Sequence, residues 1–146
     1  MTGHSCTCAG PGTRNSSADI RVLVVDDHPM VRASLSELLS DEYAFTVVGE
    51  CEDGSQVVEA SARLRPDVVL MDLSMPVMNG LAATEALRAV QSESRIVVLT
   101  AEGPDARAQV VAAGAHALVP KGTRARALLE CLRTVVVGCE CCPYCF

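Results

Sequence analysis

The chain has 146 residues, a formal net charge of −6 and 49% hydrophobic residues, which is typical of one folded domain and excludes an intrinsically disordered chain. The negative charge argues against direct binding of nucleic acid, because phosphate contacts need clustered Lys and Arg side chains. No apolar run is long enough to span a bilayer and no signal-peptide core follows the first Met, so a cytoplasmic protein without membrane association is expected.

The N-terminal segment 1–19 predicts a flexible arm, because Gly, Ser, Thr and Pro are mixed there without periodicity. From Ile20 onward, short apolar runs alternate with segments of helical spacing. The runs are almost continuous in Val, Leu and Ile, as in strands that are covered on both faces of a parallel sheet. In chain order they read IRVLVVD, FTVVGE, DVVLMD, RIVVLT and HALVPK.

Each run is followed by a segment whose apolar residues recur at helical spacing. The first segment has Pro29 in its first turn, and the second has Asp53 and Gln56 at the spacing of an N-terminal cap. The last two segments end at Gly114 and Gly138, which are good helix terminators. Five β/α repeats with right-handed crossovers predict an α/β fold with an open, doubly wound parallel sheet and helices on both faces.

Polar side chains stand at the carboxyl ends of four of these strands, where doubly wound sheets bind their ligands. They are Asp26 and Asp27 after the first strand, Asp72 at the end of the third, Thr100 at the end of the fourth and Lys121 after the fifth. Neighbouring carboxylates repel one another unless a cation lies between them, and oxygen ligands suit Mg²⁺. Because a lysine and a hydroxyl can hold phosphoryl oxygens while a carboxylate attacks, the set predicts phosphoryl transfer onto an aspartate.

Each of these residues alone has an ordinary structural explanation. A single Asp at a strand end usually caps a helix, Thr100 alone could cap a strand end, and Lys121 alone could be a solvated charge. His28 follows the acid pair and is interpreted as a surface residue of the first helical turn, because no nucleophile is evident beside it. The functional interpretation depends on all five polar residues occurring at the ends of the appropriate strands.

Four stretches carry a resemblance to a known family, namely VLVVDDHPMVR, VLMDLSMPVMNG, VVLTAEG and AGAHALVPKG. They resemble the receiver domains of bacterial two-component response regulators, and DDHPMVR is similar to the NarL/FixJ-type (LuxR-type) subgroup. The resemblance implies a flavodoxin-like (βα)5 sheet with strand order 2-1-3-4-5. It divides the chain into a flexible arm over 1–19, a receiver domain over 20–138 and a Cys-rich tail over 139–146.

The resemblance implies a signalling domain that catalyses only its own phosphorylation and dephosphorylation, rather than an enzyme. Asp72 would be the phosphoacceptor, with the phosphoryl group supplied by a phosphohistidine of a sensor histidine kinase. Thr100 and Lys121 would contact the phosphoryl oxygens. The implied Mg²⁺ ligands are Asp26, Asp27, Asp72 and the backbone carbonyl of Ser74.

Three features depart from the family pattern. Leu118 stands three residues before the lysine, where receivers commonly carry a Tyr or Phe that moves with the threonine, so a switch formed by Thr100 and Leu118 has no aromatic ring. Pro120 precedes Lys121, which is compatible with an edge strand. The sequence reaches Phe146 without a helix-turn-helix domain, so DNA binding by this chain is not expected, and a homodimer is one expected assembly.

The cysteines concentrate at the two ends of the chain, at Cys6, Cys8, Cys139, Cys141, Cys142 and Cys145. The tail fragment CPYC resembles the glutaredoxin motif, but that chemistry needs a helix after the first Cys and one residue after Cys145 cannot form it. Zinc binding is disfavoured, because the adjacent Cys141 and Cys142 fit a tetrahedral site awkwardly. An oxidation-prone tail is the favoured interpretation.

Four functions remain in competition. The complete set of Asp72, Thr100 and Lys121 favours a phosphorylatable receiver that switches the interactions of a partner or an output domain. Leu118 favours a pseudo-receiver, which is an interaction module of the same fold controlled by something other than phosphate. A Mg²⁺-dependent phosphohydrolase is disfavoured, because the third strand is followed by DLS rather than Asp-x-Asp and the chain is too short for a cap insertion. A thiol-based metal or redox sensor would use the Cys-rich ends.

Overall fold

The structure is a computed structural model, and it describes residues 19–73, 75, 78–90, 92–101, 106–138, 144 and 146. Within these residues, five strands alternate with five α-helices. The strands are β1 Ile20–Val25, β2 Phe45–Cys51, β3 Val68–Asp72, β4 Arg95–Thr100 and β5 Ala117–Pro120. The helices are α1 Pro29–Ser40, α2 Val57–Leu64, α3 Gly80–Ala89, α4 Ala106–Ala113 and α5 Ala125–Val135.

The strands form one parallel sheet in the order β2-β1-β3-β4-β5. This confirms the predicted flavodoxin-like fold, including the position of β5 at an edge. Asp72 pairs with Leu99 of β4, and Thr100 pairs with Pro120 of β5, so the carboxyl ends of these three strands lie level with one another. The sheet therefore brings residues that are far apart in the sequence to a single edge.

The helices cover both faces of the sheet, because side chains of a strand alternate between its two faces. Val22 and Val24 point into a core that contains Leu39 of α1 and five buried residues of α5. Leu23 and Val25 point into the opposite core, together with buried residues of α2, α3 and α4. This two-sided burial is the reason why the β1, β3 and β4 sequences are almost continuously apolar.

Local sequence signals determine where the helices begin. Pro29 occupies the first turn of α1, as predicted. The carboxylate of Asp53 accepts the Ser55 N–H at 2.7 Å, but it caps a 3-10 turn, Gly54–Gln56, that precedes α2. The Asn79 side chain accepts the Ala82 N–H at 2.9 Å and so caps α3. The Asn79 cap therefore stabilises the first turn of α3.

The outer edge of β5 is contacted by the last residues of the chain. The Leu118 N–H donates to the Tyr144 carbonyl at 3.0 Å, and the Phe146 N–H donates to the His116 carbonyl at 3.0 Å. The Arg107 guanidinium lies 4.7 Å from the centroid of the Phe146 ring. These contacts satisfy backbone groups that an edge strand otherwise presents to solvent or to other chains.

In the part of the chain that the structure describes, no helix has both the length and the apolar character needed to cross a bilayer. The cysteines of the chain ends, at Cys6, Cys8, Cys139, Cys141, Cys142 and Cys145, lie outside the described residues. The described thiols of Cys51 and Cys131 are both buried.

Candidate functional site

The structure places the predicted site residues at one edge of the sheet. Asp26 directly follows β1, Asp72 ends β3, Thr100 ends β4 and Lys121 directly follows β5. Asp26 is fully buried, and Asp72 and Thr100 are each 3% exposed. Buried carboxylates at this position require a counter-charge or a ligand, because their desolvation would otherwise destabilise the fold.

Lys121 provides one such counter-charge. Its Nζ lies 2.9 Å from Asp72 Oδ1 and 3.8 Å from Asp26 Oδ2. Its backbone N–H donates to the Thr100 carbonyl at 2.8 Å, which holds the residue to the end of β4. The ammonium therefore lies next to the carboxylate that was predicted to be the phosphoacceptor.

Three hydrogen bonds hold Asp26 in place. Its N–H donates to the Cys51 carbonyl at 3.1 Å, which continues the pairing of β1 with β2. Its Oδ1 accepts the His28 N–H at 2.9 Å, and its carbonyl accepts from Arg32 Nη1 at 2.7 Å. The other carboxylate oxygen, Oδ2, is thereby directed towards Asp72 and Lys121.

Arg32 was not identified as a site residue from the sequence. Besides Asp26, its Nε donates to Glu50 Oε1 of β2 at 3.1 Å, and the Ser36 hydroxyl donates to the other oxygen of Glu50 at 3.0 Å. The signal available in the sequence was its position one helical turn after His28, on the side of α1 that faces the strand end. Arg32 thus connects α1, β2 and the residue that follows β1.

The loop after Asp72 needs a glycine at its far end. The Gly80 N–H donates to the Leu73 carbonyl at 2.8 Å. A Cβ on Gly80 would lie 2.5 Å from the Asp72 carbonyl oxygen and 2.9 Å from the Leu73 Cα, which is closer than side-chain carbons approach backbone atoms. A glycine is therefore required at position 80 for steric reasons, since the start of α3 packs against the backbone of Asp72.

The acidic side chains are suited to a divalent cation. Asp26, Asp27, His28 and Asp72 each offer one ligand atom, and these atoms lie within 4.8 Å of one another. Asp26 Oδ2 and Asp27 Oδ1 are buried and make no hydrogen bond. Three carboxylates against the single ammonium of Lys121 leave a formal charge of −2. Open carboxylate oxygens with surplus negative charge match the ligand preference of Mg²⁺.

The two remaining predicted residues are Ser74 and Leu118. Ser74, whose backbone carbonyl was predicted to bind the metal, lies outside the described residues. Leu118 is half-buried and packs against the core on the side of α2, α3 and α4, while its N–H bonds to Tyr144. Leu118 therefore contributes to the core on the α2, α3 and α4 side of the sheet.

Comparison with known proteins places these features in context. Residues 22–133 match the family model of the response regulator receiver domain. The chain is 37% identical over 120 residues to the response regulator GacA of Pseudomonas aeruginosa, covering 82% of this chain and 56% of GacA. It is 38% identical over 120 residues to the transcriptional regulatory protein LiaR of Bacillus subtilis, covering 82% of this chain and 57% of LiaR.

The fold is shared with solved structures. A LuxR-family two-component response regulator from an Aurantimonas species superposes with a TM-score of 0.78 at 30% identity, covering 83% of this chain and 87% of that one. The chain spans about half the length of the curated relatives described above. The similarity therefore concerns the receiver portion of those proteins.

Proposed function

The chain belongs to the response regulator receiver domain family of two-component systems, and on that premise we propose that Asp72 accepts a phosphoryl group from a phosphohistidine of a sensor histidine kinase. The observation that carries the proposal is the buried Asp72 carboxylate, with Lys121 Nζ at 2.9 Å and Asp26 beside it at the same strand edge. We assign the receiver to residues 20–138, with an arm over 1–19 and a Cys-rich tail over 139–146.

The transfer needs a nucleophile and groups that hold the phosphoryl oxygens. A carboxylate oxygen of Asp72 forms the new P–O bond while the P–N bond of the phosphohistidine breaks. Lys121 already contacts Asp72 Oδ1, so its ammonium is in place to hold a phosphoryl oxygen once Asp72 is modified. The buried Thr100 at the next strand end would donate its hydroxyl to another oxygen.

A Mg²⁺ ion would be held by the carboxylates of Asp26, Asp27 and Asp72 together with the carbonyl of Ser74. The open oxygens of Asp26 and Asp27 support this assignment. When bound, the ion would neutralise the surplus negative charge of the acid cluster and of the phosphoryl oxygens. Without that charge, the three carboxylates would repel an incoming phosphoryl group.

Phosphorylation would act as a switch through Thr100 and Leu118. The proposed protein is cytoplasmic, and the described chain is not proposed to bind DNA itself. The two residues belong to neighbouring strands, and Leu118 pairs with Val98 two residues before Thr100. A movement of Thr100 on phosphorylation would therefore alter the packing of Leu118 against the core. The altered surface would then change binding to a second copy of the chain or to another partner. Because Leu118 has no ring to turn inward, a pseudo-receiver that binds partners without phosphate is the second candidate.

The proposal is tested by incubating the protein with a small-molecule phosphodonor and Mg²⁺. We expect an acid-stable, base-labile phosphoryl label on the wild-type protein and none on Asp72→Asn, since the amide is not a nucleophile. Mass spectrometry of the intact protein measures the label. Asp41→Asn serves as the matched control, because Asp41 is an exposed carboxylate at the end of α1, and it should label like wild type.

The alternative functions give different results in the same assay. An unlabelled wild-type protein that still binds Mg²⁺ would contradict phosphorylation and favour the pseudo-receiver. Sustained phosphate release over many turnovers would favour the phosphohydrolase. Zinc bound to the purified, reduced protein would favour a sensor that uses the cysteines of the chain ends.

A further inference from the structure

We propose that the outer edge of β5 is a dimer interface that the chain's own terminal segment and a second copy of the chain occupy in competition. The terminal segment is defined by Tyr144 and Phe146. In the dimer, the two β5 strands would pair in antiparallel orientation about Ala117 and so join two sheets into one. The proposal goes beyond the proposed phosphorylation of Asp72 and does not depend on it.

The hydrogen bonds of the terminal segment define what this edge recognises. The Leu118 N–H donates to the Tyr144 carbonyl at 3.0 Å, and the Phe146 N–H donates to the His116 carbonyl at 3.0 Å. An exchange of bonds between residues two apart on each side, with the two segments running in opposite directions, is the pattern of antiparallel strands. The edge therefore accepts an extended segment that offers a carbonyl and, two residues later, an N–H.

The β5 strand of a second copy meets the same requirement. It offers the His116 carbonyl and, two residues later, the Leu118 N–H, in the same order as the terminal segment offers its own two groups. Two copies related by a two-fold axis would therefore exchange two identical hydrogen bonds, each from Leu118 to His116. Because the terminal segment uses these same two groups, the two occupants exclude each other.

The composition of β5 limits its outward-facing donors to one residue. Pro120 has no N–H, which restricts pairing along the outer side of the strand. The His116 N–H donates to the Ile96 carbonyl at 2.8 Å, and the Lys121 N–H donates to the Thr100 carbonyl at 2.8 Å, so both are directed at β4. Leu118 therefore supplies the donor for any strand that is added to this edge.

The side chains of the terminal segment give it an advantage over a second copy. Tyr144 packs against the core on the side of α1 and α5, and Phe146 packs against the core on the opposite face of the sheet. The Arg107 guanidinium lies 4.7 Å from the centroid of the Phe146 ring. Since these contacts are additional to the two backbone bonds that both occupants make, removal of the two rings should shift the equilibrium towards the dimer.

The first experiment changes Tyr144 and Phe146 to Ser in the full-length, reduced protein and measures sedimentation velocity over a range of concentrations. We expect the dimerisation constant of this variant to be at least about tenfold higher than that of wild type. A synthetic peptide of residues 139–146, with Ser in place of its four cysteines, should return the variant to the monomer. The same peptide N-methylated at Phe146 is the matched control, because it lacks the donor to His116 and should leave the dimer intact.

The second experiment tests the register by disulfide trapping. Ala117→Cys should form a disulfide between two copies on mild oxidation, because in the proposed pairing the two Cα atoms lie about 4.5 Å apart. Val119→Cys is the matched control, since Val119 is as fully buried in the same core but would lie roughly 14 Å from its counterpart. Both changes are made in the Tyr144 and Phe146 double variant with Ser at Cys6, Cys8, Cys139, Cys141, Cys142 and Cys145.

Three results would overturn the proposal. They are a double variant that sediments like wild type, an association that the unmodified peptide does not reverse, and trapping that is equally efficient at Ala117→Cys and Val119→Cys. Phosphorylation of Asp72 is measured separately, on the wild-type protein. A labelled protein that fails these tests would refute the dimer and leave the phosphoacceptor function standing, and a dimer without label would do the reverse.

Discussion

Among the single residues, His116 makes the stability of the fold depend on pH. Its Nδ1 accepts the Ile96 N–H at 3.0 Å, which only a neutral ring can do. Burial, and then the nearby guanidinium groups of Arg95 and Arg88, lower the pKa of His116 from 6.5 to about 4. The folded protein therefore binds fewer protons here than the unfolded chain does between these two pH values.

Acidification should consequently destabilise the fold through this residue. The stabilisation is fully present above pH 6.5 and is lost as the pH falls towards 4, because the unfolded chain takes up the proton first. We expect wild type to lose about 2 kcal/mol more than His116→Asn between pH 7 and pH 4. Urea denaturation of both proteins at each pH measures this difference, and parallel losses would contradict the assignment.

At the scale of elements, α1 is attached to the sheet by Arg32 as well as by its apolar face. The guanidinium bridges the Asp26 carbonyl, at 2.7 Å, and Glu50 of β2, at 3.1 Å, and its side chain is 18% exposed. A charge-assisted contact with a backbone carbonyl at a partly buried site stabilises more than an exposed ion pair does. Arg32 is therefore a positioning residue for Asp26.

Replacing Arg32 with Met keeps the length of the side chain and removes the guanidinium. We expect a loss of about 1–2 kcal/mol in the free energy of unfolding and weaker Mg²⁺ binding, because the Asp26 backbone is released. Urea denaturation and metal titration measure the two effects.

The control for this variant is Arg63→Met. Arg63 pairs with Glu59 one helical turn away, and both side chains are largely exposed, so its loss should cost less than about 0.5 kcal/mol. Unchanged metal affinity in Arg32→Met would show that the arginine stabilises the fold without positioning Asp26.

Comparing elements also shows how far the sequence predicts this molecule. The strands and the residues at their ends were predictable, because apolar runs fully covered by helices have a distinctive composition and parallel topology brings Asp72 and Lys121 to one edge. The ion pair between Arg32 and Glu50 could not be predicted from the sequence, since it depends on the rotation of α1 relative to β2. The 3-10 turn before α2 was also missed, because the Asp53 cap signal looks the same for both helix types.

At the scale of the whole molecule, the β5 edge of the sheet is hydrogen-bonded to Tyr144 and Phe146 of the same chain. The paired backbone atoms are those of Leu118 and His116 on the strand side and of Tyr144 and Phe146 on the other. Nothing in the residue pattern of the Cys-rich tail predicts these contacts, because they depend on the position of the end of α5 relative to β5.

Deleting residues 139–146 should therefore expose an edge that can pair with a second molecule. We expect a loss of about 1–2 kcal/mol in the free energy of unfolding, from two backbone hydrogen bonds, and self-association that increases with concentration. Sedimentation velocity under reducing conditions measures the association, and urea denaturation measures the stability.

The control for the deletion replaces the four tail cysteines, Cys139, Cys141, Cys142 and Cys145, with Ser and keeps Tyr144 and Phe146. This variant should sediment like wild type, which separates the edge contact from thiol chemistry. A truncated protein that sediments identically to the full chain would show that the exposed β5 edge does not cause self-association, and would contradict the prediction.

The distribution of the site over the sheet also has a consequence for biosynthesis. The chain emerges from the ribosome N-terminus first, so Asp26 and Asp27 are exposed to the cell well before Lys121. Because β5 pairs only with β4 in the sheet order, it is added to a sheet whose other four strands have already been translated. A nascent chain thus has Asp72 before it has Lys121, so the proposed phosphorylation of Asp72 would require translation of the chain through β5 and Lys121.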